Sequence, residues 1–335
     1  MTIRVGINGF GRIGRDILRC VLQRQESPVE LVAVNDITPA ATMAHLLEYD
    51  STYGRLHAPV AIAGSDIVVG DRRVRALDIP DPAALPWREL RIDLVIEASG
   101  RFRTRDTAAA HLAAGARKVV ISAPGKGVDA TIVLGVNEDT YDARRHDVIS
   151  NASCTTNCAA PMVKVLHRAF GVHRGVLTTI HSYTNDQSLL DGPHKDLRRA
   201  RAAAVNMIPT STGAARAIGE VLPQLEGRLD GVAIRVPVEN GSLTDLTVEL
   251  ARPVTAAQVN RAFAEAADGD LKDILRYTEA PIVSRDIIGD PASCVFDASL
   301  TSAQDQLVKV FGWYDNEWGY ANRTLDLVDL IAKQL

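Results

Sequence analysis

Cys154 stands in Ala-Ser-Cys-Thr-Thr-Asn-Cys, residues 152–158, where an alanine-, valine- and leucine-rich helical pattern begins. A thiol at the start of a helix meets unpaired backbone N–H groups and the positive end of the helix dipole. Both favour the thiolate, so the placement predicts a lowered pKa and a nucleophile available near neutral pH. Downstream, His181 lies in Thr-Thr-Ile-His-Ser-Tyr-Thr-Asn-Asp. A thiolate and a histidine are the minimal set for covalent catalysis at a carbonyl carbon. The histidine would take the thiol proton and then steady the developing alkoxide as a donor. Cys158 lies one turn beyond Cys154 on the same helix face and reads as a small buried hydrophobe.

The second chemistry-bearing pattern opens the chain. Gly9-Phe10-Gly11-Arg12-Ile13-Gly14 matches G-x-G-x-x-G. Alone this pattern is weak, because glycines recur by chance. Here it closes a strand pattern, opens a helix pattern and falls in the first strand–helix–strand unit, the context that makes it a dinucleotide fingerprint. The glycines allow a tight turn and a close approach of backbone to a pyrophosphate, and the helix N-terminus offers its N–H groups. Asp36 ends the second strand of that unit. A carboxylate there accepts hydrogen bonds from the adenosine ribose and repels a 2′-phosphate, which favours NAD over NADP.

Elements of two kinds must position these groups. In the first half, strand patterns at 3–8, 30–35, 93–97, 118–122 and 147–150 alternate with helical ones at 12–24 and 105–116. That alternation predicts a mostly parallel sheet with helices on both faces. The second half has longer β-rich runs at 175–180, 231–237, 243–251 and 307–314, with helices at 155–169, 211–220 and 255–267. It reads as a mixed or antiparallel sheet. The expected class is α/β: a Rossmann-type doubly wound sheet over 1–151, an α+β catalytic domain over 152–315, and a C-terminal helix over 316–335 that returns to the first domain.

Composition narrows the function. A chain of 335 residues is long enough for about two domains. A hydrophobic content of 46% with 23% charged residues is ordinary for a soluble globular protein. The net charge of -4 gives no support for nucleic-acid or anionic-membrane partners. The one basic concentration is His-Lys-Asp-Leu-Arg-Arg-Ala-Arg at 194–201. The four cysteines form no C-x-x-C pair, and no histidine lies at ligand spacing, so neither a disulfide framework nor a metal site is expected. The chain opens directly on a strand pattern and has no apolar run approaching ~18 residues, so a cytoplasmic protein is expected.

Taken together, the motifs resemble those of the phosphorylating NAD-dependent glyceraldehyde-3-phosphate dehydrogenases over essentially the whole chain. The matching segments include Ile7-Asn-Gly-Phe-Gly-Arg-Ile-Gly-Arg15, Tyr49-Asp-Ser-Thr-Tyr-Gly54, Glu97-Ala-Ser-Gly-Arg-Phe102 and Ser153-Cys-Thr-Thr-Asn-Cys158. They continue with His181-Ser-Tyr-Thr-Asn-Asp186, Pro193-His-Lys-Asp-Leu-Arg-Arg-Ala-Arg201, Ile208-Pro-Thr-Ser-Thr-Gly213, Arg235-Val-Pro237 and Trp313-Tyr-Asp-Asn-Glu-Trp-Gly-Tyr320. The resemblance implies oxidation of glyceraldehyde 3-phosphate by NAD through a hemithioacetal and a thioester on Cys154, then release of an acyl phosphate by inorganic phosphate. It also implies a homotetramer.

The resemblance assigns residues as well. Gly9, Gly11, Arg12, Ile13, Gly14, Asp36, Ser122, Asn316 and Tyr320 would bind the cofactor, the last three near its nicotinamide. Thr184 and Arg235 would hold the substrate phosphate. Ser153, Thr155, Arg199, Thr212 and Gly213 would hold inorganic phosphate. Guanidinium forks, hydroxyls and backbone N–H groups suit phosphate oxygens in either case. The chain departs from the usual pattern at Ile79-Pro80-Asp81-Pro82 and at Val238-Glu239-Asn240, where Glu239 adds a negative charge close to Arg235 in sequence. Two other readings use the same residues. An erythrose-4-phosphate dehydrogenase would hydrolyse its thioester, but the intact Thr212-Gly213 and Arg199 elements favour phosphate. A non-catalytic NAD-binding protein would have no need of the Cys154–His181 pair.

Overall fold

The computed structural model describes residues 2–24 and 27–335. The chain divides into two compact units. The first comprises Met1–Ile132, Asp139–Ala152 and Ala321–Leu335; the second comprises Val133–Glu138 and Ser153–Tyr320.

The first unit is built on a nine-stranded sheet. Its order is Ala130–Thr131, Val148–Ser150, Lys118–Ile121, Leu94–Glu97, Ile3–Asn8, Val29–Asn35, Arg72–Leu77, Asp66–Val69, Val60–Ala63. Ile3–Asn8 runs parallel to both of its neighbours. Leu94–Glu97 and Lys118–Ile121 are buried at every position, which is why, apart from Glu97 and Lys118, they read as apolar runs without alternation. The sheet departs from the expected one at its edge. Asp66–Val69 pairs antiparallel with both neighbours, in a segment whose short strands and arginine-rich composition hide the pattern.

Two helical expectations are also corrected. The helix expected over 105–116 is two short helices, Arg105–Ala108 and Ala110–Ala113, meeting at Ala109. Ala40–Glu48 is a further helix, outside the expected elements.

A buried polar network ties the strand ends beneath the glycine loop. Glu97 accepts from Asn8 Nδ2 at 2.6 Å, from Ser99 N at 2.8 Å and from His111 Nε2 at 2.9 Å. His111 Nδ1 in turn accepts from Trp87 Nε1 at 3.0 Å, so its proton lies on Nε2. The carboxylate thus meets only donors, the condition under which a buried charge is tolerated.

The second unit carries a sheet in the order Ile208–Ser211, Leu229–Val236, Val172–Ser182, Ser242–Leu250, Leu307–Tyr314, Cys294–Asp297, Leu275–Thr278, with Ser302–Gln304 added beside Leu307–Tyr314. It mixes parallel and antiparallel pairs. Ser242–Leu250 alternates strictly between buried and half-buried positions, as expected of a strand with one packed face. Helix Cys154–Phe170 contributes Cys158, Ala159, Met162, Val163, Val165 and Leu166 to the core. The C-terminal helix starts at Trp318 rather than 316. Asp315 Oδ1 accepts the N–H groups of Glu317 and Trp318 at 3.0 and 2.8 Å and caps it there.

Candidate active site

Cys154 is the first residue of its helix. The chain reaches it from the strand Val148–Ser150 through Ala152, which has a positive φ of 54°. An alanine in that region is strained by about 1 kcal/mol, a cost that tends to be kept where geometry serves a site. Ser153 is the N-cap: its Oγ accepts from Thr156 N at 3.0 Å. Its hydroxyl is therefore committed to holding the helix start. Cys154 Sγ lies 3.5 Å from His181 Nε2.

His181 comes from the strand Val172–Ser182, which runs parallel to Leu229–Val236 with His181 paired to Arg235. Register alone thus sets a guanidinium beside the imidazole. His181 Nδ1 is 2.7 Å from Ser182 O, which can only accept, and 3.0 Å from Arg235 Nη1, which can only donate; the shorter contact assigns the ring proton to Nδ1 and the lone pair to Nε2, facing the thiol. Arg235 donates to the same carbonyl at 3.0 Å and reaches Thr184 Oγ1 at 3.5 Å. Its Nε is buried with no hydrogen-bond partner among the described residues.

Tyr314 completes the pocket and was missed in the sequence. Its ring meets His181 edge-on, with centroids 5.9 Å apart. Its hydroxyl lies 2.8 Å from both Thr155 Oγ1 and Thr179 Oγ1. The Thr155 hydroxyl bonds Tyr314 and, like the backbone N–H of the same residue, lies against the Cys154 sulfur.

The electrostatics correct the expectation of a lowered thiol pKa. Burial pushes Cys154 up, to about 11, and outweighs the pull of Arg235 and of the Thr155 N–H in the opposite direction. Burial and then the Arg235 cation push His181 down, to about 3. Both shifts favour the neutral forms, thiol and imidazole. Moving the proton from sulfur to Nε2 within the pair would give a thiolate and an imidazolium, two charges that attract each other.

The other anion-binding candidates divide into two groups. Arg199 is anchored on three sides: Nε to Thr210 Oγ1 at 2.8 Å, one terminal nitrogen to Asp186 at 2.5 Å and the other to Ser211 O at 3.1 Å. A guanidinium has five N–H groups, so one remains on each terminal nitrogen for a bidentate anion. Thr212 and Gly213 precede helix Ala214–Val221, with Thr212 Oγ1 accepting from Ala214 N at 3.2 Å. Glu239 is ion-paired with Arg285 and not with Arg235, so its charge is answered locally.

In the first unit, Gly9 has φ 95° and a Cβ there would lie 2.3 Å from Ser99 N. A Cβ on Gly14 would lie 2.3 Å from Gly9 O, whereas one on Gly11 would meet nothing within 4 Å. Two glycines are thus required by packing, and the third leaves open space at the start of helix Arg12–Gln23. Arg12 and Ile13 occupy its first turn; the Arg12 guanidinium turns to Asp50 at 2.6 Å. Asp36 Oδ2 accepts from Phe10 N at 2.8 Å and Oδ1 from Thr38 N at 2.9 Å. Those contacts fix its carboxylate and leave lone pairs for a ribose. Ser122 follows the strand Lys118–Ile121 and bonds Glu97 O. The loop fits a dinucleotide. Of the two candidates at the chain's end, Asn316 is buried and bonded through its Oδ1 to Ser182 and Ser242, and Tyr320 is buried in the first turn of the last helix.

Among the described residues, no group of three or more His, Cys, Asp or Glu is placed to hold a metal ion, and no helix is long and apolar enough to cross a membrane. Residues 3–105 match the family described as glyceraldehyde 3-phosphate dehydrogenase, NAD binding domain, and residues 153–316 match its C-terminal domain. A glyceraldehyde-3-phosphate dehydrogenase of Streptomyces coelicolor is 60% identical over 337 residues, covering the whole of both chains. One of Mycobacterium avium is 58% identical over 340 residues, again with complete coverage of both.

Proposed function

The chain belongs to the glyceraldehyde-3-phosphate dehydrogenase family, and from this premise we propose how its residues carry out the reaction. It is an NAD-dependent oxidoreductase that takes glyceraldehyde 3-phosphate and inorganic phosphate to 1,3-bisphosphoglycerate in glycolysis. Cys154 Sγ attacks the aldehyde carbon while His181 Nε2 accepts the thiol proton and returns it to the carbonyl oxygen, giving a hemithioacetal. His181 then takes the hydroxyl proton back as the carbon is oxidised to a thioester. NAD, when bound, supplies the hydride acceptor. Phosphate attacks the thioester carbon, and the Cys154 sulfur leaves to recover its proton from His181.

The single observation that carries this reading is the 3.5 Å contact between Cys154 Sγ and His181 Nε2 beside Arg235. Arg235 and Thr184, whose Nη1 and Oγ1 lie 3.5 Å apart, hold the substrate phosphate. Arg199, Thr212 and Gly213, with the backbone around Ser153 and Thr155, hold the attacking phosphate. Gly9, Gly11, Arg12, Ile13, Gly14, Asp36 and Ser122 hold NAD, with Asn316 and Tyr320 at its nicotinamide. NADH formation from the aldehyde, followed by absorbance with and without phosphate, tests the reading. Turnover must need phosphate; slow, phosphate-insensitive turnover would overturn it.

Asp36 sets the dinucleotide preference in this account. Asp36→Ser is expected to shrink the ratio of kcat/KM for NAD over NADP by at least about tenfold, because it removes the charge that repels a 2′-phosphate. An unchanged ratio would remove Asp36 from that role.

The homotetramer is part of the same proposal. Segment 188–207 bears exposed apolar side chains, with Leu189 at 80% and Leu197 at 81% exposure, a pattern that fits burial against another copy of the chain. A cytoplasmic location suits the four cysteines, none of which is disulfide-bonded among the described residues.

A further inference from the structure

Three neighbouring strands of the second unit bring one cluster together at their ends. Val172–Ser182 ends at Ser182, its antiparallel neighbour Ser242–Leu250 begins at Ser242, and Leu307–Tyr314 pairs Tyr314 with Ser242 before leading to Asn316. Ser182 and Ser242 are fully buried. Ser182 Oγ lies 2.9 Å and Ser242 Oγ 2.7 Å from Asn316 Oδ1.

The direction of these bonds follows from counting protons. Ser242 Oγ accepts from Ser182 N at 3.2 Å. Its single proton then goes to Asn316, so the atom it meets must be an acceptor. A flipped amide would aim N–H groups at Ser242 Oγ, which already accepts one, and would leave the serine proton buried without an acceptor, a costly arrangement. The two serines therefore hold Oδ1 inward. Asn316 Nδ2 has no partner among the described residues. The turn itself is fixed by Asp315, which takes Asn240 Nδ2 at 2.9 Å and Gly289 N at 2.8 Å besides capping the following helix. The same Ser182 also supplies the carbonyl that holds His181 Nδ1 and Arg235.

We propose that Ser182 and Ser242 are positioning residues that lock the amide of Asn316 with Nδ2 outward, so that the site offers only a donor to the nicotinamide carboxamide. A carboxamide has an oxygen and an NH2 on opposite sides. A donor-only partner selects the oxygen and with it one orientation of the group. This inference rests on the reading of Asn316 as the nicotinamide contact.

The test compares binding of NAD with binding of ADP-ribose, which lacks the nicotinamide, by titration calorimetry on the full-length protein. The probes are Ser182→Ala, Ser242→Ala, the double variant and Asn316→Ala. The double variant is expected to lose about tenfold in NAD affinity while ADP-ribose affinity stays within about twofold. Each single variant, still held by one hydroxyl, is expected to lose about two- to threefold for NAD alone, and carries the test if the double variant does not fold. If Asn316→Ala fails to separate the two ligands, the contact to the nicotinamide falls, and the lock with it. If Asn316→Ala separates them and the serine variants do not, the lock alone is overturned. Equal losses for both ligands in the serine variants would also overturn it, since those mark damage to the fold.

Discussion

A Cys154→Ala chain binds NAD as the parent does and loses oxidation of glyceraldehyde 3-phosphate by a factor on the order of 10⁵ or more. The size follows from what the sulfur does. It converts an aldehyde, whose carbon gives up hydride poorly, into a hemithioacetal that gives it up to form a thioester. It then leaves when phosphate attacks. No other described group lies where it could substitute: Cys158 is fully buried one turn along the helix, with its sulfur 3.5 Å from Gly312 O. Cys154→Ser tests the same point more narrowly, since an oxygen nucleophile is far less ionised and leaves an ester less readily. Steady-state assays with calorimetric control of NAD binding check both variants. Turnover of Cys154→Ala within about a hundredfold of the parent would show that the oxidation does not pass through this sulfur.

Replacing His181 by asparagine is expected to lower kcat by about 10²–10⁴, the usual worth of a positioned proton acceptor. It should also change how the thiol responds to pH. With His181 present, the proton can leave sulfur without leaving the site, so reactivity toward iodoacetamide is kept at neutral pH. Without it, the proton must go to water. Burial pushes the Cys154 thiol up, so the thiolate then forms only as the pH rises. Alkylation of His181→Asn is therefore expected to be slower than that of the parent at pH 7 and to climb more steeply between pH 7 and 9. Parallel profiles for the two proteins would show that His181 is not the acceptor.

What could be read in the sequence was what is local along the chain. Gly9, Gly14 and Asp36 follow the spacing of a strand–turn–helix–strand, and that spacing already implies the tight turn that Gly9 makes at φ 95°. The start of the Cys154 helix was legible for the same reason, because cap and helix are neighbours in sequence. What strand pairing creates was not. His181 meets Arg235 because two parallel strands place them in register. Tyr314 and Ser242 are ordinary residue types until neighbouring strands turn them toward His181 and Asn316. Burial is likewise invisible locally. A helix N-terminus predicts a lowered thiol pKa, but desolvation of the Cys154 sulfur reverses the sign. The single helix expected over 105–116 failed on a smaller scale: its alanine-rich run fits one helix, whereas the chain closes one short helix at Ala108 and opens another at Ala110.

The most direct test of the account is a single-turnover experiment without phosphate. The protein is mixed with NAD and glyceraldehyde 3-phosphate, NADH is followed by absorbance, and the quenched chain is digested and weighed by mass spectrometry. The account predicts about one NADH per chain, an acyl adduct on the peptide carrying Cys154, and loss of that adduct when phosphate is added. NADH formed without an adduct, or an adduct on Cys154 that phosphate does not discharge, would contradict it.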